Sequence, residues 1–398
     1  MEANLDRAIL PRTPNELTSS HTAGSRILSA MVASSLALAK EVAPANVDLD
    51  ALVREGKQFQ REQGMTAEDI QAFQLFYKAA VAGHAEAKFL VFQCYSGGHG
   101  VQEDRNIGVE WLYKSAEAGY VGAQYVLARL YSFGFDFPRD RRKAFEWFNK
   151  AAAQGSAEAQ LYVGAMYADG AAVPKDVRMA YEWFERAARQ GIDSAQFQLG
   201  LCYANGEGVI QDQSKACDWF EKASVQGHRE AQFILGLKYV EGKGVPKDDH
   251  KACEWLEKAA SQDLYKAQLI IGLMYEEGLG VPKDELKARD WYDRAGEWGL
   301  TLAQYELGMM YANGRGVPQD QAKACEWYEK AATRGNAAAQ FNLGVRYANG
   351  NGVPPDQTKA CEWFEKAAGR GYAAAQYNLG VMYANGRGIP QDQTKACE

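Results

Sequence analysis

The sequence is poor in the residues that usually carry catalysis or bind metal ions. It has only five histidines, scattered at His21, His84, His99, His228 and His250. It contains no C-x-x-C, H-E-x-x-H or Walker A sequence. A His/Cys metal site and a catalytic triad therefore find no support. We expect no catalytic residues, no metal site and no cofactor, and we predict that the chain is not an enzyme.

Long hydrophobic runs are also absent. A membrane helix needs roughly 18 apolar residues, and the best candidate, Ile27 to Ala39, is shorter and rich in Ala and Ser. A signal peptide would begin close to Met1, which this run does not. We expect a short amphipathic helix there and predict no membrane span.

An excess of positive charge is missing as well. The 398 residues include 51 acidic and 44 basic side chains, which gives a formal net charge of -7. A chain of this charge is poorly suited to a nucleic-acid backbone or to an anionic membrane surface. We therefore predict that neither is the main partner.

What the sequence does contain is a strict internal period. An Ala-Gln pair and a tyrosine recur in steps of 36 residues. Such self-similarity is the signature of a repeat architecture. Tryptophan recurs in the same step, at Trp111, Trp147, Trp183, Trp219, Trp255, Trp291, Trp327 and Trp363.

One repeat, Asn336 to Gly371, shows how each unit folds. Its first part, Ala337 to Asn349, has a helical apolar stripe and predicts helix A. The segment Gly350 to Pro354 cannot continue a helix and predicts a turn. Asp356 then suits an N-cap, and helix B is expected over Gln357 to Ala368. One such hairpin cannot bury its own apolar face, so neighbouring repeats must stack into a solenoid.

The repeated pattern resembles the Sel1-like repeat, a relative of the tetratricopeptide repeat. The pattern is A-x-x-L-G-x-x-Y-x-x-G-x-G-V-P-x-D-x-x-K-A-x-E-W-x-x-K-A-A, and Ala303 to Ala332 match it almost letter for letter. The resemblance implies an all-α, right-handed α-solenoid of 36-residue helix-turn-helix repeats. It also implies a scaffold or adaptor for other proteins, and it favours a bacterial source.

The repeats do not cover the whole chain. We expect an N-terminal extension over residues 1–65, a capping half-repeat over 66–83, and about nine repeats over 84–398. The last repeat stops inside helix B at Glu398, which suggests that the chain continues in a longer protein.

Two departures from the pattern carry open interpretations. The turn of the second repeat holds Phe133, Phe135 and Phe137, which either pack under the N-terminal extension or form an exposed apolar contact. Trp298 is the one tryptophan outside the period. It is either a local packing change or an exposed anchor for a partner.

The seven cysteines predict buried, reduced thiols. Five of them occupy one position of helix B, two residues before the tryptophan, and only one repeat holds two cysteines, Cys202 and Cys217. Some secreted members of the resembled family have a disulfide within each repeat, which would need two cysteines per repeat. Reduced thiols favour a reducing compartment, so we predict a cytoplasmic protein.

By analogy with tetratricopeptide arrays, helix A is expected to line the concave face of the solenoid and to contact a protein or an extended peptide. Its framework positions are used in packing, and its variable positions are left for a partner. The predicted partner-binding residues are Gln198, Asn205, Tyr305, Glu306, Asn313, Asn342, Asn349, Tyr377, Asn378 and Asn385.

Two interpretations are open for the asparagines in this set. Their carboxamides can donate to and accept from a peptide backbone. Four of them directly precede a glycine and can instead simply terminate helix A, because Asn tolerates left-handed geometry. Asn342 and Asn378 fall in mid-helix, where Asn is a poor helix former, which favours binding. The aromatic positions that include Tyr305 and Tyr377 are either core or a partly exposed stripe.

These observations predict a protein-binding scaffold. The alternative is a translocated bacterial effector, or an immunity or chaperone-type protein, that uses the solenoid to bind a target. In composition, the start of the chain resembles a type III secretion leader, so export is part of that alternative. The sequence leaves the partner and the oligomeric state open.

Overall fold

The computed structural model describes residues 48–59, 66–134 and 138–397. These residues form helices and turns, with no strand among them, and none of the helices in these ranges is both long and apolar enough to cross a bilayer. The helices are α1 (Leu49–Phe59), α2 (Ala67–Val81), α3 (Ala85–Gly97), α4 (Arg105–Glu117), α5 (Val121–Phe133), α6 (Arg141–Ala153), α7 (Ala157–Asp169), α8 (Val177–Arg189), α9 (Asp193–Asn205), α10 (Gln213–Val225), α11 (Arg229–Glu241), α12 (Asp249–Ser261), α13 (Tyr265–Glu277), α14 (Glu285–Glu297), α15 (Thr301–Asn313), α16 (Gln321–Thr333), α17 (Ala337–Asn349), α18 (Gln357–Ala368), α19 (Ala373–Asn385) and α20 (Gln393–Cys397).

From α3 onward the odd-numbered helices are helix A and the even-numbered helices are helix B of successive repeats. Within each unit, helices that follow one another pack together, from α1 to α8 and from α10 to α20. In the repeat analysed above, α17 and α18 begin and end where the sequence pattern placed them. The predicted all-α architecture of repeated helix pairs is confirmed.

The turn between the two helices is fixed at both ends by its own residues. Gly350 ends α17 in the left-handed conformation, with φ 75°, which costs glycine little. Asp356 begins α18 by accepting hydrogen bonds from the backbone N–H groups of Thr358 and Lys359 at 3.1 and 3.0 Å. An N-cap of this kind contributes about 1 kcal/mol to the stability of its helix.

In six successive repeats, a glycine of helix A lies directly against a large side chain of helix B. A Cβ atom placed on Gly344 would lie 2.7 Å from the Phe364 ring, well inside van der Waals contact. Only glycine therefore permits this approach of the two helices. The same pairing joins Gly164 with Phe184, Gly200 with Phe220, Gly236 with Leu256, Gly272 with Tyr292, and Gly308 with Tyr328.

The described chain packs as two compact units. The first ends at Ala195 and includes residues 207–209, and the second comprises Gln196–Gly206 and the residues from Ile210 onward. In the first unit, Leu127 and Phe148 are fully buried, and in the second Phe220, Leu256 and Tyr292 are fully buried. Each unit therefore has a core built from the large residues of its helices B and the small residues that face them.

A glutamine pair joins neighbouring repeats near the start of helix A. The Nε2 atom of Gln232 donates to the carbonyl of Ser224 at 3.0 Å, and its Oε1 atom accepts from Nε2 of Gln262 at 2.8 Å. Gln262 also donates to the carbonyl of Gly227 at 3.0 Å. The same side-chain pair recurs as Gln154 with Gln124, Gln190 with Gln160, and Gln226 with Gln196.

Trp298 interrupts this series, because it occupies the position of the donor glutamine. It caps α14 and is 66% exposed. The Oε1 atom of Gln268, which would accept the missing bond, is buried without a hydrogen-bond partner among the described residues. The equivalent atoms of Gln304 and Gln340 are also unpaired, where Arg334 and Arg370 replace the donor. Trp298 thus changes the local hydrogen bonding and is exposed, and its role as an anchor for a partner stays a prediction.

We predict that Gly344→Ala lowers the stability of the fold by about 1–3 kcal/mol, because the added methyl group meets the Phe364 ring. Urea denaturation followed by circular dichroism would measure the loss. Gly369→Ala is the matched control, since Gly369 has ordinary helical geometry and only backbone atoms 3.3 Å or more from the added Cβ. An equal loss in both variants would contradict the steric explanation.

We predict that Trp298→Gln stabilises the chain by about 1 kcal/mol, because the new amide can donate to Oε1 of Gln268. Thermal denaturation would measure the gain. Gln262→Ala should have the opposite effect, because it removes the bonds to Gln232 and to the carbonyl of Gly227. If Trp298→Gln fails to raise the melting temperature while Gln262→Ala lowers it, the unpaired acceptor has no energetic cost.

Candidate partner-binding face

The ten predicted partner-binding residues all lie on helices A of the second unit, on α9, α15, α17 and α19. They differ in exposure. Gln198, Tyr305, Glu306, Asn342 and Asn378 are half-buried. The exposed residues are Asn205, Asn313, Asn349, Tyr377 and Asn385.

The four asparagines that precede a glycine are the last residues of their helices. Left-handed geometry belongs to the glycine in each case, with φ between 66° and 76° at Gly206, Gly314, Gly350 and Gly386. Asp263 is the one non-glycine residue with positive φ in the described ranges. The helix ends therefore do not depend on the tolerance of Asn for left-handed geometry, and these side chains are exposed at the helix ends. Asn385 donates back to the carbonyl of Val381 at 2.8 Å.

Asn342 lies between two neighbouring helices A. Its Nδ2 atom is 3.8 Å from Sδ of Met309, and its amide also interacts with the hydroxyl of Tyr305. Burial raises the pKa of the Tyr305 hydroxyl, with Glu306 adding to the effect. Asn342 is two residues after the repeat glutamine Gln340. Its contact shows that this position of α17 approaches the middle of α15.

Glu306 lies beside a buried ion pair that the sequence pattern did not reveal. Glu276 is 6% exposed and forms a salt bridge with Arg315. The hydroxyl of Tyr292 donates to Oε2 of Glu276 at 2.7 Å. Burial raises the pKa of Glu306, the charge of Glu276 raises it further, and Arg315 lowers it. Glu306 is therefore a half-buried carboxylate with an acidic neighbour.

Sequence reasoning could have found this cluster from its departures from the period. Glu276 stands where most repeats have alanine, directly after the repeat tyrosine. Tyr292 stands where four other repeats have phenylalanine, and Arg315 stands in the turn of the next repeat. These are three changes in three elements, and only the fold shows that they meet.

The aromatic positions that follow the repeat glutamine are mostly partly buried. Phe89 is buried, whereas Tyr125, Phe197, Tyr305 and Phe341 are half-buried. Tyr377 is 73% exposed. Tyr305 lies 5.9 Å from Tyr328, and Phe341 lies 5.7 Å from Phe364, measured between ring centroids. One edge of each of these two rings therefore packs against helix B, and the other edge lies toward the surface.

The cysteines are buried structural thiols, with the exception of the exposed Cys397. The thiols of Cys253 and Cys361 donate to the turn carbonyls of Leu279 and Arg387, both at 3.3 Å. Burial raises the pKa of Cys253 to about 11, so this thiol is not a reactive thiolate. All cysteines of the described residues are free, and these residues hold no cluster of side chains suited to a metal ion.

Of the three turn phenylalanines, only Phe133 lies in the described residues. It is 51% exposed, and the Arg129 guanidinium lies 5.9 Å from its ring centroid. Phe135 and Phe137, together with the N-terminal run Ile27 to Ala39, lie outside the described ranges.

We predict that Glu306→Gln stabilises the chain at pH 7. The pKa of Glu306 is raised in the folded state, while the unfolded value is about 4.3. The folded state therefore holds its proton more tightly, and wild-type stability falls as pH rises from the unfolded pKa through the folded pKa. The advantage of the variant should shrink as the pH approaches about 4. Urea midpoints between pH 4 and pH 8 would measure it.

The control for this prediction is Glu326→Gln, which changes an exposed carboxylate of α16. It should leave the pH profile of stability close to that of the wild type. If Glu306→Gln is more stable than the wild type by the same amount at every pH, the gain comes from packing and not from charge.

Comparison with known proteins agrees with this geometry. A search of curated proteins finds no match. The structure is similar to that of a protective antigen present in uropathogenic Escherichia coli strains, with TM-score 0.65 and 31% identity, covering 92% of this chain and 85% of that chain. It is also similar to a Sel1 repeat protein from Oxalobacter formigenes, with TM-score 0.57 and 32% identity, covering 95% and 99%.

The family model described as the Sel1 repeat matches nearly all of the chain from residue 59 onward. Its ten matched segments are 59–84, 85–120, 121–156, 157–192, 193–228, 229–264, 266–297, 301–336, 337–372 and 373–398. The capped helix pairs and the glycine contacts described above follow the same period. The chain therefore belongs to the Sel1 repeat family.

Proposed function

We propose that this chain is a protein-binding scaffold whose partner lies along the outward face of helices A in the second unit. The family provides the general role, since Sel1 repeat proteins typically act in protein–protein interaction. Scaffolds of this family are typically non-enzymatic. The partner class that we propose is a protein or an extended peptide.

The observation that carries this proposal is the contrast between two sets of positions on helix A. The positions that face helix B are Ala, Leu, Gly and Tyr in nearly every repeat of the second unit, and stacking uses them. The outward position, two residues after the repeat glutamine, changes from repeat to repeat and is only half-buried. Its occupants in the second unit are Gln198, Ile234, Ile270, Glu306, Asn342 and Asn378.

The C-terminal part of this face suits a peptide backbone. Asn342 and Asn378 each offer an amide donor and a carbonyl acceptor. Tyr377, which is next to Asn378, adds an exposed ring and a hydroxyl group. Tyrosine is enriched among residues that contribute most to binding at protein interfaces, because one rigid side chain supplies both apolar area and a polar atom.

We predict that the triple variant Asn342→Ala, Tyr377→Ala and Asn378→Ala loses a defined partner that the wild type retains. The affinity-tagged full chain would be used to isolate partners from the source cell, with identification by mass spectrometry. Loss of hot-spot side chains typically costs about 1 kcal/mol or more each, so the set should weaken binding about a hundredfold. Circular dichroism would check that the variant keeps its helical content.

The matched control is the double variant Glu326→Ala and Glu362→Ala, which changes two exposed side chains on helices B. It should retain the partner at the wild-type level. A partner that survives the helix A variant but disappears with the helix B control would move the binding site to the opposite face. No specific partner in any sample would overturn the scaffold proposal.

A further inference from the structure

The residue before helix A caps that helix through one recurring hydrogen bond. In each case the side chain of the N-cap residue accepts from the backbone N–H three residues further on. The caps are His84 of α3, Ser156 of α7, His228 of α11 and Asn336 of α17, with donor–acceptor distances of 3.1, 3.2, 3.2 and 2.8 Å. Two of these caps are histidines, whose ability to accept a hydrogen bond depends on protonation.

The capping atom of His228 is Nδ1, which accepts from the N–H of Ala231. Only a neutral imidazole has a ring nitrogen that can accept, since both nitrogens of the charged ring are donors. The cap therefore requires the neutral ring, with its proton on Nε2. A proton on Nδ1 would set two N–H groups against each other and break the cap.

His228 also contacts the helix A that precedes its own. Its ring stacks on Phe197 of α9, with ring centroids 4.6 Å apart and an interplanar angle of 24°. The His228 side chain is only 13% exposed, and Phe197 packs against the core of the second unit. One side chain thus fixes the first turn of α11 and contacts α9. We call His228, Ala231 and Phe197 the His228 joint.

The surroundings of the joint favour the neutral ring. Burial disfavours the charged form of histidine, and the N-terminal end of a helix repels a cation. The groups that neighbouring elements place here are uncharged. They are Phe197 of α9, the carbonyl of Ala223 on α10, which accepts from the His228 N–H at 3.1 Å, and Gln262 after α12, which donates to the carbonyl of Gly227.

Two charged groups of α11 face the ring. Oε2 of Glu230 lies 3.6 Å from Nδ1 of His228 and would attract a charged ring. Oε1 of the same carboxylate is paired with Nε of Arg229 at 2.9 Å, so a neighbouring cation offsets its charge. A protonated Nδ1 could donate to Glu230 only by giving up the bond from Ala231. Protonation therefore removes the cap whichever way the ring turns.

His84 has the same cap but a different neighbour at its other ring nitrogen. Its Nε2 atom lies 2.9 Å from Oδ1 of Asp50 on α1, and this hydrogen bond lowers the pKa of Asp50. A protonated His84 would lose the bond from Ala87 but would strengthen its attraction to Asp50. These two effects oppose each other, so the acid-sensitive cap is that of His228.

We propose that His228 makes the contact between α9 and α11 sensitive to mild acid. A histidine in an unfolded chain takes up a proton near pH 6.5, whereas the folded joint requires the neutral ring. The contribution of the joint to stability is therefore complete above about pH 7 and declines as the pH falls below about 6.5. Gln198 and Ile234 lie on these two helices, so acid acts on the face proposed above, although the device does not depend on that function.

The test compares the full chain with His228→Asn and His228→Ala. Asparagine keeps a cap that cannot titrate, as Asn336 does in another repeat, whereas alanine removes the cap at every pH. Both variants lose the stacking on Phe197. Thermal denaturation followed by circular dichroism would give the midpoints at pH 7.5 and pH 5.5. Between these values the wild-type midpoint should fall by about 2 °C relative to both variants, which is the size expected for one N-cap.

Hydrogen–deuterium exchange measured by mass spectrometry would locate the change. In the wild type, the first turn of α11 should exchange faster at pH 5.5, relative to the first turn of α7, whose cap Ser156 cannot titrate. This comparison within one molecule needs no variant. The control His250→Asn removes an exposed histidine of α12 that lies 3.6 Å from Glu254. Its midpoint at pH 5.5 should not rise above that of the wild type.

Three results would overturn the acid-sensitive joint. The first is a wild-type midpoint that keeps the same distance from both His228 variants at the two pH values. The second is a gain at pH 5.5 in His250→Asn equal to that in His228→Asn, since the sensitivity would then come from charge elsewhere. The third is an equal rise of exchange in the first turns of α7 and α11, which would show a general loss of stability in acid.

Discussion

The regular repeats depend on the contact between a glycine of helix A and a large side chain of helix B. The missing Cβ allows Phe364 to lie against the backbone of α17 at Gly344, and the same geometry recurs in five other repeats. Because protein interiors are close-packed, the helix pair has little room to adjust to a larger residue there. The contact fixes the separation of the two helices, and the residues on the outward side of helix A are only partly covered.

The stretch from Asp263 to Arg315 departs from this regular arrangement in two ways. Trp298 replaces a glutamine and leaves the buried acceptor of Gln268 unpaired. Glu276 brings a carboxylate into the core, where a buried charge is tolerated only with a partner. Tyr292 and Arg315 supply that partner. An exposed tryptophan and a buried ionic cluster therefore occur within one stretch of neighbouring repeats.

The outward residues differ in chemistry between the two ends of the proposed binding face. Near α11 and α13 the outward residues are aliphatic and lie beside carboxylates, whereas near α17 and α19 they are asparagines. In the function proposed above, the outward residues of α17 and α19 suit the backbone of a partner. A repeat protein can differ along its length because each repeat contacts mainly its neighbours, so outward positions vary independently of the framework.

The sequence by itself determined the period, the helix bounds and the turns of this protein. Gly350, Asp356 and the apolar spacing of α17 and α18 act through local geometry, so a single repeat contains the information. Only the tertiary structure decided which departures meet. Stacking between repeats brings Glu276, Tyr292 and Arg315 together, and the adjacent repeat that holds Glu276 also acts on Glu306. Whether a side chain is exposed or covered is set by its neighbours in space, which the period does not reveal at positions where the repeats differ.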